Sequence, residues 1–336
     1  MAATRFAGFL AGMAVVMAGC TVQRWQPSVS FRSDEHAAHM AMSSVAMPVV
    51  TQTASSAGGG SGSFQGIAGI PASNAAAAER LKTSPRKGAF AKVAYQPGSK
   101  DSLIVWVSYP QKQGKAPVVV VIHDNQGLST WVRGVADQLA ADGFVAVAPD
   151  LISKARGGAS EVELSGDSVR KIIGAVNFTE RNQGIAAAAN YAMSLPVAER
   201  RYGIVGYCWG GTTSFNHAIN NGDGLSAAVA FYGLPYMIGA VPNGDSLARI
   251  RVPVMLLNGS RDARIGAALP AVDSAMKALG KTFSFKNYEG ATHGFLRSQD
   301  DPATGPNADA GPANISASKD AWPQTVAFLR KNLGVR

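Results

Sequence analysis

The ten residues at positions 202–211, YGIVGYCWGG, are the feature that most constrains how this chain can fold. A short apolar run precedes the pattern Gly-x-Cys-x-Gly and a helix-like segment follows it, which predicts a strand, a sharp turn and a helix. Such a turn strains the backbone at its centre, Cys208, and leaves no room for side chains at Gly206 and Gly210. It also places the thiol at a helix N-terminus, where unpaired N–H groups favour a thiolate. We therefore predict that Cys208 is a nucleophile; the alternative is a buried structural cysteine beside a tight turn.

The sequence around this turn predicts an α/β fold with a mostly parallel sheet. The run 117–122 is continuously apolar, as in a strand covered on both faces. With a helix pattern over 131–141 and a strand pattern over 144–148, it predicts a right-handed βαβ unit. The stretches 89–95 and 103–109 flank a turn sequence and predict a β-hairpin. Further strands are predicted at 227–232, 252–257 and 283–288, helices at 179–193, 212–220, 267–279 and 318–333, and irregular segments at 151–176 and 298–317.

Two polar residues follow predicted strands at the sheet edge that carries the turn. Asp262 comes after the strand 252–257, and His293 comes after the strand 283–288. An imidazole can accept a thiol proton, and a carboxylate on its other nitrogen fixes the tautomer. Taken singly, Asp262 could be a turn residue and His293 a loop histidine bonded to the backbone. In this order, at three strand ends, they predict a triad with Cys208.

The segments 206–211, GYCWGG, and 293–295, HGF, resemble the dienelactone hydrolase (carboxymethylenebutenolidase) family. The resemblance covers residues 86–334. It implies an α/β-hydrolase fold, with a mostly parallel sheet flanked by helices on both faces, and a triad of Cys208, Asp262 and His293. The implied activity is hydrolysis of carboxylic esters or lactones through a cysteinyl acyl-enzyme. No metal or organic cofactor is needed for that chemistry.

The resemblance extends to the loop after the strand 117–122. In the family, a glutamate at the position of Asp124 interacts with the nucleophilic cysteine and takes part in its activation. The backbone N–H groups of Asn125 and Trp209 are implied to form the oxyanion hole, and His123 and Arg297 to contact substrate, the arginine through a substrate carboxylate. The alternatives are a polar turn after a buried strand and an exposed arginine. The family's second carboxylate-binding arginine aligns with no single residue among Arg156, Arg170 and Arg181.

The N-terminus has the layout of an export signal. Arg5 precedes an apolar run, 6–17, that is too short to cross a bilayer and ends in small residues. The sequence Met-Ala-Gly-Cys at 17–20 resembles a bacterial lipobox, which implies a signal peptide over 1–19 and lipidation of Cys20. Thr21 favours sorting to the outer membrane, with the protein facing the periplasm. The alternatives are an ordinary secretory signal and an uncleaved anchor.

The segment 20–84 is rich in Ser, Ala, Gly and Met, which predicts a flexible tether ahead of a catalytic domain over 85–336. The net charge of +9 on 336 residues is scattered, without clusters of basic and aromatic side chains, so nucleic acid is not an expected partner. The expected partners are a small ester or lactone and, through lipid on Cys20, a membrane. The oligomeric state stays open.

Two other functions fit the same residues. A hydrolase fold can serve as a non-catalytic envelope lipoprotein, because a fold does not guarantee activity. A thioesterase or acyltransferase would share the acyl-enzyme and differ in its leaving group or acceptor.

Overall fold

The computed structural model describes residues 66–156, 167–299 and 307–335. The predicted signal, Cys20 and the tether as far as residue 65 lie outside the described residues, as does part of the predicted insertion. In the part that is described, no helix combines the length and apolar character needed to span a bilayer.

The strands that carry the site belong to one sheet. In chain order the strands are β1 (Gly88–Ala94), β2 (Ser102–Ser108), β3 (Ala116–Ile122), β4 (Val145–Asp150), β5 (Ala198–Tyr207), β6 (Leu225–Phe231), β7 (Met237–Ile238), β8 (Val241–Pro242), β9 (Val254–Gly259) and β10 (Phe283–Tyr288). The described residues form an eight-stranded sheet of order β1-β2-β4-β3-β5-β6-β9-β10, and β7 and β8 form a small separate hairpin. Strand β2 is antiparallel to β1 and β4, and the other neighbouring pairs are parallel. The predicted hairpin and parallel sheet are therefore confirmed.

Helices connect and cover these strands. They are α1 (Ala77–Thr83), α2 (Thr130–Ala141), α3 (Ser153–Arg156), α4 (Asp167–Ala175), α5 (Phe178–Ser194), α6 (Trp209–Asn220), α7 (Gly244–Ala248), α8 (Ala263–Ala278), α9 (Phe295–Ser298) and α10 (Gly311–Asn332). Every residue of β3 and β4 is buried, as the continuous apolar run at 117–122 predicts for strands covered on both faces. The hydrophobic core is continuous through the sheet and its helices.

The packed chain begins earlier than the sequence predicts. Ile70 and Ala77 are 3% and 1% exposed, and the Arg80 guanidinium donates to Gln138 Oε1 at 2.7 Å. The prediction of a tether reaching residue 84 is therefore wrong over residues 70–84. The segment looks like a linker because alanine offers little apolar area, yet its small side chains allow close packing.

Several element boundaries also differ from the sequence prediction. The stretch 151–176 contains helices α3 and α4, although residues 157–166 are not described. Helix α8 begins at Ala263 because the Asp262 carboxylate caps it by accepting from the Ile265 N–H. Helix α10 begins at Gly311, inside the predicted insertion, and has a proline in its first turn.

Candidate active site

The turn after β5 has the geometry that its glycines predict. Cys208 has φ 57° and ψ −116° and lies directly before α6, with its side chain partly exposed. A Cβ on Gly206 would lie 2.0 Å from the carbonyl oxygen of Gly210, and one on Gly210 would lie 2.3 Å from the carbonyl oxygen of His123. Only glycine fits at both positions without moving backbone.

The structure brings Cys208, His293 and Asp262 together. The His293 ring bonds through Nδ1 to Asp262 Oδ2 at 2.6 Å. With Nδ1 used in this way, Nε2 is the ring nitrogen left for Cys208, whose side chain is near enough to raise the pKa of the ring. The other Asp262 oxygen accepts the Ile265 N–H at 3.2 Å, so the cap of α8 fixes the carboxylate. This is the relative arrangement that a nucleophile, a base and an orienting acid require.

The charges of the three groups support one another. Burial alone would lower the pKa of His293, but the influence of the Cys208 side chain and the hydrogen bond to Asp262 raise it to about 10. Burial likewise acts to raise the pKa of Asp262, and the hydrogen bond and charge of His293 outweigh it, leaving the pKa below its usual range. The site therefore favours the protonated form of His293 and the ionised form of Asp262.

Tyr232 supports the histidine ring and was not singled out from the sequence. It has φ 41°, unusual for a tyrosine, and its ring centroid lies 5.0 Å from that of His293. Phe295 packs edge-on against the same tyrosine at 5.6 Å. The phenol is buried, which raises its pKa well above 10 and keeps it neutral. No local sequence pattern signals a positive φ at a bulky residue.

The structure leaves the two backbone N–H groups predicted as an oxyanion hole, those of Asn125 and Trp209, without a backbone acceptor among the described residues. Trp209 is the first residue of α6, so its N–H has no acceptor within the helix. Throughout residues 66–156, 167–299 and 307–335, neither this N–H nor that of Asn125 donates to another backbone group. The rings of His123 and Trp209 stack at 5.2 Å, which holds the two loops against each other.

His123 has a structural role, which contradicts its predicted contact with substrate. Its side chain is fully buried. Nδ1 donates to the Asp124 carbonyl at 2.7 Å and Nε2 accepts the Leu151 N–H at 3.2 Å, so the ring ties the end of β3 to the end of β4. Neither ring nitrogen is left for a ligand.

Asp124 and Arg297 bond to each other, which also differs from the prediction. Asp124 Oδ2 accepts from Arg297 Nη1 at 2.6 Å, and Oδ1 accepts the Gln126 N–H at 2.9 Å. Both oxygens thus have partners other than Cys208, and no bond from Asp124 to the thiol is found among the described residues. The Arg297 guanidinium also donates to Gln126 Oε1 and to Asn74 Oδ1, so it is not left free for a substrate carboxylate.

Arg181 brings an unmatched positive charge beside the turn. Its guanidinium lies over the rings of Trp209 and Phe178, at 5.4 and 5.8 Å. The residue is 9% exposed and burial lowers its pKa, while no acidic side chain in the described ranges pairs with it. Arg156, by contrast, faces Asp150 at 3.8 Å. Three arginines were candidates for the family's second carboxylate-binding residue. Of these, Arg181 lies against Trp209, the residue after Cys208.

Fold and site together define a class of protein. The sheet is mostly parallel, the turn of Cys208 follows β5, Asp262 follows β9 and His293 follows β10. This is the chain order in which α/β-hydrolases carry their nucleophile, acid and histidine at the carboxyl ends of strands. Among the residues described, no group of three His, Cys, Asp or Glu side chains could hold a metal ion.

Comparisons with known proteins identify the family within this class. The profile of the dienelactone hydrolase family matches residues 104–333. A Methylorubrum extorquens protein provisionally named carboxymethylenebutenolidase is 27% identical over 231 residues, 66% of this chain and 74% of the relative. A Bradyrhizobium protein, named a probable 2-oxo-3-(5-oxofuran-2-ylidene)propanoate lactonase, is 26% identical and covers 69% of this chain and 91% of its own length. The chain belongs to the dienelactone hydrolase family and is an ester or lactone hydrolase.

A solved structure agrees at the level of the fold. The dienelactone hydrolase-like promiscuous phosphotriesterase P91 from metagenomic libraries matches with a TM-score of 0.55 and 23% identity. The match covers 70% of this chain and 98% of that one. At this identity the comparison supports the α/β-hydrolase fold and carries no statement about substrate.

Proposed function

We propose that the chain hydrolyses carboxylic esters or lactones through an acyl-enzyme on Cys208. The observation that carries the proposal is the His293 ring, which is bonded to Asp262 through Nδ1 and has its pKa raised by the nearby side chain of Cys208. Such a ring can hold the thiol proton and deliver it to a leaving oxygen. The family indicates the class of reaction, hydrolysis of an ester or lactone, and the three residues suggest its mechanism, through an acyl-enzyme.

Acylation begins with attack of the Cys208 sulfur on the substrate carbonyl carbon. The carbonyl oxygen becomes an oxyanion, which the N–H groups of Asn125 and Trp209 stabilise; one such donor is worth about 3 kcal/mol. The tetrahedral intermediate collapses, the carbon–oxygen bond breaks, and the His293 imidazolium gives its proton to the departing alkoxide. The products are an acyl thioester on Cys208, a neutral imidazole and a free hydroxyl group.

Deacylation uses the same groups with water in place of the thiol. His293 takes a proton from water, the hydroxide formed attacks the thioester carbonyl, and the carbon–sulfur bond breaks. The carboxylic acid leaves and the thiolate–imidazolium pair is restored. Asp262 stays ionised and holds the ring through both half-reactions.

A substrate panel separates this function from its alternatives. Aryl esters, lactones and acyl thioesters are compared for turnover by the wild type, Cys208→Ala and His293→Ala. We expect turnover of oxygen esters or lactones by the wild type and loss in both variants. Preference for thioesters supports the thioesterase, acyl transfer to an added alcohol supports the acyltransferase, and absence of turnover, with Cys208 no more reactive than a free thiol, supports the non-catalytic lipoprotein.

We also propose that lipid on Cys20 tethers the enzyme to the bacterial envelope. In this proposal the anchor lies in the outer membrane and the catalytic domain faces the periplasm. The support is the short apolar segment ending in Met-Ala-Gly-Cys, followed by threonine. In cells, the full chain is expected in the membrane fraction and Cys20→Ser in the soluble periplasmic fraction. Equal membrane association of both forms contradicts the lipid tether.

A further inference from the structure

Residues 70–83, which we call the N-terminal strap, precede the region that matches the family and contact the loops of the active site. The strap is anchored through its backbone. The Pro71 carbonyl accepts from Gln299 Nε2 at 2.8 Å, and the Ala72 carbonyl accepts from Trp131 Nε1 at 3.1 Å. Both donors belong to fully or almost fully buried side chains, so the strap has a fixed position on the domain.

Asn74 of the strap bonds to Arg297 through both its backbone and its side chain. The Asn74 N–H donates to the Arg297 carbonyl at 2.9 Å. In return, Arg297 Nη2 and Nε donate to Asn74 Oδ1 at 3.0 and 3.3 Å. Two N–H groups on one edge of the guanidinium therefore meet one amide oxygen, which fixes the direction in which the rest of the guanidinium points.

The other side of the guanidinium holds the turn that carries Asn125. Arg297 donates to Asp124 Oδ2 and to Gln126 Oε1, the two residues that flank Asn125. Side chains of Arg297 and Asp124 are only 13% and 7% exposed, so the pair is shielded from water and salt. The turn is closed by the Gln126 and Gly127 N–H groups, which both donate to Asp124. Asn125 itself is held by its neighbours.

We propose that Asn74 is a positioning residue for the oxyanion hole. It orients Arg297, and Arg297 fixes the turn at the angle that aims the Asn125 N–H at the substrate oxygen. This inference rests on the proposed function, in which that N–H stabilises the oxyanion. Hydrogen bonds to a developing charge depend on alignment, and loss of a whole donor lowers kcat by about 10²–10³-fold. Misalignment of one donor is expected to cost a smaller factor.

The test compares single variants of the full chain on an ester that the wild type turns over. Asn74→Ala is expected to lower kcat by about 3- to 10-fold with KM little changed, since the donor matters most in the transition state. Asn74→Asp should restore kcat, because a carboxylate accepts the same guanidinium bonds. Thr83→Ala is the matched control: its hydroxyl donates within α1 to Glu79 and Arg80, and its kcat should stay at the wild-type value.

Alkylation of Cys208 by iodoacetamide separates positioning from general damage. The reaction needs the thiolate but forms no oxyanion, so Asn74→Ala should be alkylated at the wild-type rate while its ester turnover falls. Unchanged kcat in Asn74→Ala, failure of Asn74→Asp to restore it, or an equal drop in alkylation overturns the proposal. If the wild type turns over no ester, the proposed function itself fails and the inference fails with it; normal wild-type turnover with an unaffected Asn74→Ala overturns the inference alone.

Discussion

At the scale of single residues, the proposed acylation depends on the proton held by His293. Its neighbours are a thiol on one side and a carboxylate on the other, and both stabilise the imidazolium against the effect of burial. The carboxylate is fixed twice, by the ring and by the first turn of α8. A cysteine enzyme needs this state, because the ring must protonate the leaving oxygen before it acts as a base.

The raised pKa of His293 predicts where activity falls at high pH. The imidazolium, which acts as the acid in acylation, should persist until its pKa of about 10. Since the folded pKa exceeds the unfolded value of about 6.5, its stabilisation is fully present below pH 6.5 and is lost as the pH rises through about 10. A kcat/KM profile from about pH 6 to 11 should show an alkaline limb near the upper value. An alkaline limb near pH 6.5 contradicts the raised pKa of His293.

Asp262→Asn separates the charge of this residue from its capping role. Asparagine still caps α8 well, so the free energy of unfolding should change little. The ring loses its orienting negative charge, and kcat should fall by about 100-fold or more. Steady-state kinetics measures the fall in kcat, and urea unfolding measures the stability. The variant Asp262→Ala also loses the cap of α8, so its free energy of unfolding should be lower by about 1 kcal/mol. Full activity in Asp262→Asn contradicts the triad.

At the scale of elements, the strand–turn–helix unit of β5 and α6 is the most predictable part of the molecule. Local sequence determines it: the turn needs glycine at two positions, and the sequence supplies them at Gly206 and Gly210. Local sequence does not determine side-chain partners far along the chain. Arg297 and Asp124 are separated by 173 positions, and nothing near either residue signals that they pair.

Gly210→Ala tests the space within this unit. In an ordinary helix, alanine is favoured over glycine by about 1 kcal/mol. Here the added Cβ meets the backbone oxygen of His123, so we expect a loss of about 1–3 kcal/mol. Gly244→Ala is the control, because nothing lies within 4 Å of its Cβ position. The urea midpoint should fall for Gly210→Ala and should not fall in the same way for Gly244→Ala. Equal midpoints for Gly210→Ala and the wild type contradict the close contact at Gly210.

At the scale of the whole molecule, the site exists only when the sheet is complete. Asn125 follows β3, Cys208 follows β5, Asp262 follows β9 and His293 follows β10, so the carboxyl edge of the sheet brings them to one side. The sequence predicted this edge and the pairing of His293 with Asp262, while the catalytic roles stay a prediction. It did not predict the strap, whose alanines carry no periodic signal, or the burial of His123, which depends on β4 lying beside β3.

Assembly by the whole sheet predicts that the reactivity of Cys208 and the fold are lost together. Alkylation of Cys208 and far-UV circular dichroism should give the same urea midpoint, because no single element can hold thiol and imidazole in contact. Loss of enhanced alkylation at a clearly lower urea concentration indicates that the site opens locally and contradicts this prediction.

In the proposed reaction, the sulfur of Cys208, on the turn between Gly206 and Gly210, is acylated during turnover. The most direct measurement is intact-mass spectrometry of the enzyme quenched in acid while it hydrolyses an ester, followed by peptide mapping. We expect a mass increase equal to the acyl group, mapped to Cys208 and absent from Cys208→Ala. Turnover that continues in Cys208→Ala, or an acyl group mapped to another residue, contradicts it.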